Sequence, residues 1–445
     1  MLSFSILTAN KSTRSKLPPI WMPGLAPRGI VRLSITVVGL LACFWGMWNS
    51  GREGLSQLLA TYSSIINRPD VAEQAVGLGP ATPETHYALA SLLLNQGELA
   101  EALPEYERAV ALRPHDYTLW LALGRARGQA NDKEGAMAAF KESVRLAPFY
   151  AQPRWYLGNT LYRAGRVDEA FAELRRAATS NPNLLPHILN LAWAAFAGDA
   201  QAVERAMQPQ TASMRLALAR YFARHGKSSE AITQFRAAGS VADEERRALL
   251  TELLADRRFA EAYEVWSSGR HEDGETSAPG KGAMINGGFE SPVNLNDPGF
   301  GWQLPPVLPA AQAAQDTAEP RSGTQSLRLV WNGNAATGSP IISQLVLVDP
   351  GARYQLRFAA RTEKLVTAGL PQIVVTDASS GDGRALATAL TLPQGTSQWQ
   401  DYRLEFTTTG ETSAVQVSLL RQHCSSNPCP IFGQIWLDDF SIQRI

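Results

Sequence analysis

The chain holds only three cysteines and six histidines among its 445 residues, and the close pair Cys424 and Cys429 has only His423 nearby, too few ligands for a zinc site. It also lacks a nucleophile elbow, a phosphate-binding loop, a His-rich metal motif and the paired acidic residues of a glycosidase. No catalytic residue and no cofactor-binding residue is therefore assigned, and the expected class is not an enzyme. Net charge is missing too, because Lys plus Arg and Asp plus Glu both number 41. Without a basic field, nucleic acid is not an expected partner.

Acidic residues are absent before Glu53, while Lys11, Arg14, Lys16, Arg28 and Arg32 crowd the N-terminus. They lie before and at the start of one apolar run, Ile30 to Trp48, which is long enough for a membrane helix. The basic excess places the N-terminus in the cytoplasm and the bulk of the chain across the membrane. The expected division is a cytoplasmic basic tail over 1–29 and a single transmembrane helix over 30–49, set in a bacterial inner membrane with the rest periplasmic. A cleaved signal peptide is the rival reading, but Gly46-Met47-Trp48-Asn49-Ser50-Gly51 has no small-x-small cleavage pattern.

Beyond the run, composition changes once. Residues up to about 268 are rich in Ala, Leu, Arg and Glu, and those from about 284 in Val, Thr, Ser, Gly and Gln with alternating apolar positions. The fold class is therefore multidomain, α plus β, with a helical region over 50–268, a linker over 269–283 and an antiparallel β-sandwich over 284–445. Outside the cytoplasm, Cys424 and Cys429 are expected to close a small disulfide loop.

Internal repetition is the strongest signal. Pro80, Pro114, Pro148 and Pro182 recur every 34 residues, as do Ala102, Ala136 and Ala170, and the pairs Leu89-Ala90, Leu123-Gly124 and Leu157-Gly158 follow the same interval. On these residues, with Asn95-Gln96-Gly97-Glu98, Arg163-Ala164-Gly165-Arg166 and the aromatics Tyr106 and Phe140, the region resembles the tetratricopeptide repeat family. Units 83–116, 117–150 and 151–184 are clear, the pattern weakens near Gly198-Asp199, and five to six repeats are expected in all. The resemblance implies an α-solenoid whose first helices line a groove for a protein partner. His86, Arg125, Arg127, Arg154, Asn159 and Asn190 are the candidate groove residues, whereas Trp120 and Trp155 read as packing residues.

In the last third the period becomes two, as in Leu327-Leu329-Trp331, Tyr354-Leu356-Phe358 and Val415-Val417-Leu419, giving about eight strands. Ile285-Asn286-Gly287-Gly288-Phe289-Glu290 with Gly301-Trp302, Ser322 to Leu327, Trp399-Gln400-Asp401-Tyr402 and Trp436 to Ile442 resemble the jelly-roll carbohydrate-binding modules with a galactose-binding-like fold. In that likeness Ile285 to Glu290 is the first strand, and Trp302 and Trp399 serve the core. It also implies a structural calcium held by Glu290 and Asp438, the alternative being that both carboxylates hydrogen-bond strand ends. Glycan-stacking candidates are Trp331, Trp436 and Phe432, with burial in the core as the alternative for each tryptophan.

Together these readings describe a membrane-anchored scaffold whose repeats take a protein partner and whose sandwich takes a polysaccharide, in exopolysaccharide or other cell-envelope polysaccharide assembly. The alternative is an envelope-complex assembly factor whose sandwich is structural or protein-binding, without glycan affinity.

Overall fold

A computed structural model describes residues 28–272, 280–293, 299–304, 311–334, 337–424 and 428–445. The N-terminal basic tail up to residue 27 and residues 273–279 of the expected linker lie outside them. The chain forms two compact units, Met1–Pro182 and Asn183–Ile445.

Among the described residues of the first unit there are four helix pairs: α1 (Arg28–Ile66) with α2 (Pro69–Leu78), α3 (Pro83–Gln96) with α4 (Leu99–Leu112), α5 (Tyr117–Gln129) with α6 (Lys133–Leu146), and α7 (Ala151–Arg163) with α8 (Val167–Ser180). Local chemistry sets the boundaries. Pro69 and Pro83 occupy first turns, where their missing N–H costs nothing. The Asp116 and Asp132 carboxylates accept from Thr118 N and Gly135 N at the starts of α5 and α6. The turn inside each pair needs a left-handed residue, which is Gly97 (φ 88°), Asn131 (φ 60°) and Gly165 (φ 77°) in successive repeats.

Small residues mark the places where paired helices touch. A Cβ added to Gly124 would lie 2.6 Å from the Phe140 ring, and one on Gly158 2.7 Å from Leu174. Ala102, Ala136 and Ala170 are fully buried. The repeat is thus written in volume, because a larger side chain at any of these positions would push the pair apart.

Helix α1 departs from the expected boundary at residue 49. It runs unbroken for 39 residues, about 58 Å at roughly 1.5 Å per residue, close to twice the ~30 Å apolar thickness of a bilayer. In its first half Leu33, Ile35, Leu40, Leu41, Phe44, Trp45 and Trp48 are all exposed. Its second half buries Ser56, Ala60 and Ser63 and packs on α2 and α3. Residues 50–66 therefore continue the apolar helix and also open the array. Among the described residues, α1 is the one helix long and apolar enough to cross a membrane.

The second unit begins with three shorter pairs, α9 (Leu185–Ala195) with α10 (Ala200–Met207), α11 (Ala212–Arg224) with α12 (Ser228–Ala238), and α13 (Asp243–Ala255) with α14 (Phe259–Glu272). The irregularity expected at Gly198-Asp199 is a tight reversal. Ala197 and Gly198 are both left-handed, and Asp199 caps the eight-residue α10 through the Gln201 and Ala202 amides. Among the described residues there are thus seven helix pairs, α1 to α14, against the five to six repeats expected, because α1 and α2 carry no legible repeat motif.

Among the described residues nine antiparallel strands follow: β1 (Ala311–Asp316), β2 (Ser326–Asn334), β3 (Ile342–Leu347), β4 (Arg353–Thr367), β5 (Pro371–Asp377), β6 (Ala385–Thr388), β7 (Gly395–Thr407), β8 (Ala414–Arg421) and β9 (Pro430–Arg444). They form a five-stranded sheet, β1-β2-β9-β4-β7, and a four-stranded sheet, β3-β8-β5-β6. Leu327, Leu329, Leu356, Phe358, Val375, Val417, Ile435 and Leu437 belong to the core they share.

Two expectations need correction here. Ile285 to Glu290 is not a strand, because Asn286 (φ 49°) and Phe289 (φ 56°) are left-handed, which no extended ladder accommodates. The segment is instead pinned by single bonds: Phe440 N donates to Gly287 O, and the Gln344 carboxamide brackets Ile285 N and O at 3.0 and 2.8 Å. Trp302 does serve the core, but Trp399 is only half-buried. Its Nε1 donates to Glu319 O.

The sandwich also meets the last helix pair. Phe300 is almost fully buried, with its ring 5.0 Å from Tyr263 and 5.8 Å from Trp266, both on α14.

Candidate functional site

Two surfaces qualify, the first-helix face of the repeats and the outer face of the five-stranded sheet. On the repeats, the 34-residue period shows that two of the candidate groove residues are already committed to the scaffold. His86, Trp120 and Arg154 occupy equivalent positions, and each donates to the carbonyl of the proline six residues before it. The distances are 2.9 Å to Pro80 O, 2.8 Å to Pro114 O and 3.0 Å to Pro148 O. Three unlike side chains thus supply one N–H to a carbonyl that the break in the helix leaves open.

Two of these residues are held on a second side as well. His86 Nδ1 lies 2.5 Å from Glu105 Oε2, and Arg154 donates at 2.6 Å to Glu173 Oε2. Both pairs are mostly buried. Arg127 donates to Glu107 Oε1, and Asn190 Oδ1 accepts from the Tyr221 hydroxyl. His86, Arg127 and Arg154 are therefore corrected from groove contacts to parts of the scaffold, whereas Asn190 is exposed.

Arg125 and Asn159 share one position in successive repeats, and only Arg125 is fully exposed. Its guanidinium stands 5.5 Å from the centroid of the Tyr156 ring, while Asn159 donates back to Trp155 O. Tyr87, which is exposed, and Tyr156 were not singled out from the sequence. The offset that relates Asn159 to Arg125 would have identified the second of them, since it sits three residues before Asn159.

On the sandwich, strand register decides which aromatics can meet a ligand. Trp331 pairs with Gly433, faces the core with Leu327 and Leu329, and is 2% exposed. Trp436 has the opposite parity but is 3% exposed. Arg361 lies 4.0 Å and Arg328 5.5 Å from its ring, and its Nε1 donates to Asp316 Oδ2 at 2.8 Å. Neither tryptophan offers a face to a sugar, which corrects both assignments.

Phe432 differs from them. It is 47% exposed and sits in a cross-strand row between Asn332 on β2 and Val366 on β4. The next row on the same face is Val330, Gln434 and Glu363. A half-exposed ring is thus bordered by two carboxamides and a carboxylate.

Glu290 and Asp438 grip one loop, residues 321–325. Glu290 accepts from Thr324 N, Thr324 Oγ1 and Gln325 N, and Asp438 accepts from Arg321 N, Ser322 N and Asp439 N. The Thr324 hydroxyl, with the Thr324 and Gln325 amides, holds the Glu290 carboxyl below its ordinary range. Burial raises that of Asp438 despite its three amide donors. All four oxygens therefore have N–H or O–H donors, which is the arrangement of the alternative reading. Among the described residues no cluster of three or more His, Cys, Asp or Glu is placed to hold a metal. Cys424 and Cys429 form the expected disulfide.

Comparison with known proteins bears on the helical part. The tetratricopeptide repeat family model matches residues 70–117, 87–151 and 121–184. DnaJ homolog subfamily C member 3 of Mus musculus is 26% identical over 136 residues, 29% of this chain and 26% of that protein. The chain thus spans about a quarter of the length of that relative. Among solved structures, MamA from Desulfovibrio magneticus RS-1 is 14% identical, with a TM-score of 0.29, over 42% of this chain and 93% of that one. A structure described as CBM4 is 13% identical, with a TM-score of 0.28, over 36% of this chain and 99% of that one. Residues 70–184 are tetratricopeptide repeats, a module that scaffolds protein–protein interaction.

Proposed function

We propose that this chain is a membrane-anchored, periplasm-facing scaffold that binds a protein on its repeats and a glycan on the outer face of its five-stranded sheet, transforming neither. Its setting is exopolysaccharide or other cell-envelope polysaccharide assembly. The exposed apolar half of α1 supports the anchor, since such a surface is stable in lipid and costly in water.

The observation that carries the glycan assignment is the Asn332–Phe432–Val366 row beside Gln434 and Glu363. An aromatic face takes the apolar side of a pyranose, and adjacent amide and carboxylate groups orient its hydroxyls. Full-length protein in detergent, applied to an array of envelope glycans, should bind a defined subset and lose it on Phe432→Ala. Absence of any glycan signal, or binding that survives Phe432→Ala, would remove the assignment.

One contact favours a second reading, in which the sandwich is structural and the chain is an envelope-complex assembly factor. Phe300 fills a site against Tyr263 and Trp266, as a capping domain does at the end of a solenoid.

A further inference from the structure

Arg421, at the end of β8, is a large and almost wholly buried side chain, 2% exposed. Its Nε donates to Gly369 O at 3.3 Å, and one terminal nitrogen reaches Thr367 Oγ1 at 2.9 Å and Cys429 O at 3.1 Å. That same nitrogen lies 3.0 Å from Cys429 Sγ. The disulfide rests against backbone, since a Cβ on Gly369 would come within 2.9 Å of Cys424 Sγ and 3.4 Å of Cys429 Sγ. Both cysteines are half-buried, so solvent reaches the pair. His423, next to Cys424 in the chain, turns its ring toward Gly338.

These contacts make the two sulfurs unequal. A guanidinium stays protonated at any ordinary pH, and its attraction for an anion at 3 Å is much stronger in a buried setting than in water. Burial pushes the Arg421 guanidinium down, so an anion formed beside it offsets part of its desolvation. A thiolate on Cys429 would form in direct contact with that cation, whereas Cys424 Sγ stands one S–S bond further along. In thiol–disulfide exchange the sulfur better stabilised as thiolate departs, and its partner is the one attacked.

We propose that Cys424–Cys429 is a thiol–disulfide exchange site for an external dithiol, with Cys424 the attacked sulfur and Cys429 the departing one. A thiolate of the dithiol bonds to Cys424 Sγ, and the Cys424–Cys429 bond breaks with its electron pair passing to Cys429. The second thiol of the reductant then attacks its own sulfur in the mixed disulfide and releases Cys424. The reductant leaves as a disulfide, and the chain gains two electrons and two protons.

Two measurements on the full-length chain test the asymmetry. With Cys43→Ser as background to remove the other thiol, Cys424→Ser leaves Cys429 alone and Cys429→Ser leaves Cys424 alone. The midpoint of iodoacetamide alkylation against pH reports thiolate formation independently of access. It should lie at least one pH unit lower for Cys429, and coincident midpoints or the reverse order would overturn the proposal. Independently, wild-type chain equilibrated with glutathione, acid-quenched and peptide-mapped should carry the adduct on Cys424. An adduct mainly on Cys429, or equal amounts on both, would overturn it as well.

Discussion

The Arg361 guanidinium lies 4.0 Å from the centroid of the Trp436 ring, and Glu319 holds that arginine from its far side. With Arg328 near the same ring, Trp436 is clamped on the outer side of the sheet by two cations. Its contribution is therefore to stability. Trp436→Ala should cost about 3–5 kcal/mol, whereas Phe432→Ala, at a half-exposed site, should stay within about 0.5 kcal/mol. Urea unfolding of the two variants compares the costs directly, and near-equal losses would contradict the assignment of roles.

His86→Ala strips one buried carboxylate, Glu105, and one carbonyl, Pro80 O, of a shared donor. Arg108 still bonds Glu105, so losing one partner of this buried carboxylate should cost about 1–3 kcal/mol, and the repeat should unfold early in a thermal scan. Asn159→Ala, which loses one bond to its own helix, should cost about 1 kcal/mol. A His86 variant as stable as the Asn159 variant would return His86 to the groove.

Asp438 makes stability depend on pH in a direction opposite to most acids. Burial raises its carboxyl, so the folded state favours the protonated form relative to the unfolded chain, whose aspartates titrate near about 3.9. Its favourable contribution is complete below that value and is lost as pH rises through the higher folded value. Asp438→Asn cannot ionise. The melting temperature of the variant minus that of wild type should therefore climb between about pH 3 and pH 7, and a flat difference would show that Asp438 is not destabilised by ionisation.

Calcium should not stabilise the sandwich through Glu290 and Asp438, whose oxygens already accept from loop donors. A ligand at a hundred times its dissociation constant would add about 2.7 kcal/mol. Melting in millimolar calcium and in chelator should coincide, and a rise of several degrees that Glu290→Gln abolishes would establish a metal site there.

Much of this architecture could be read from residue spacing, for reasons that differ between the parts. The repeats were legible because touching helices demand small residues at fixed intervals, so Gly124 and Gly158 report packing directly. The pair α1–α2 was not, since its contact residues Ser56, Ala60 and Ser63 carry no repeat motif. On the sandwich, alternation located most strands but not their partners. Trp331 and Trp436 look alike as isolated aromatics, and only the pairing of Leu329 with Ile435 puts one inside and the other outside. Phe432, the one stacking candidate left exposed, keeps the regular alternation of β9, and a bulge between Glu363 and Val366 on β4 sets Val366 beside it. The roles of His86 and Arg154 were hidden for another reason. Each bonds a residue 19 positions later, on the second helix of its pair, a distance at which hydrophobic periodicity says nothing about polar contacts.

Phe300 sits between Tyr263 and Trp266 on the last helix, so the end of the array and the sandwich are joined by an aromatic plug as well as by peptide. Emptying that plug would therefore disturb the last helix pair and the sandwich together, so substitutions at Phe300 and at Trp266 should not add independently.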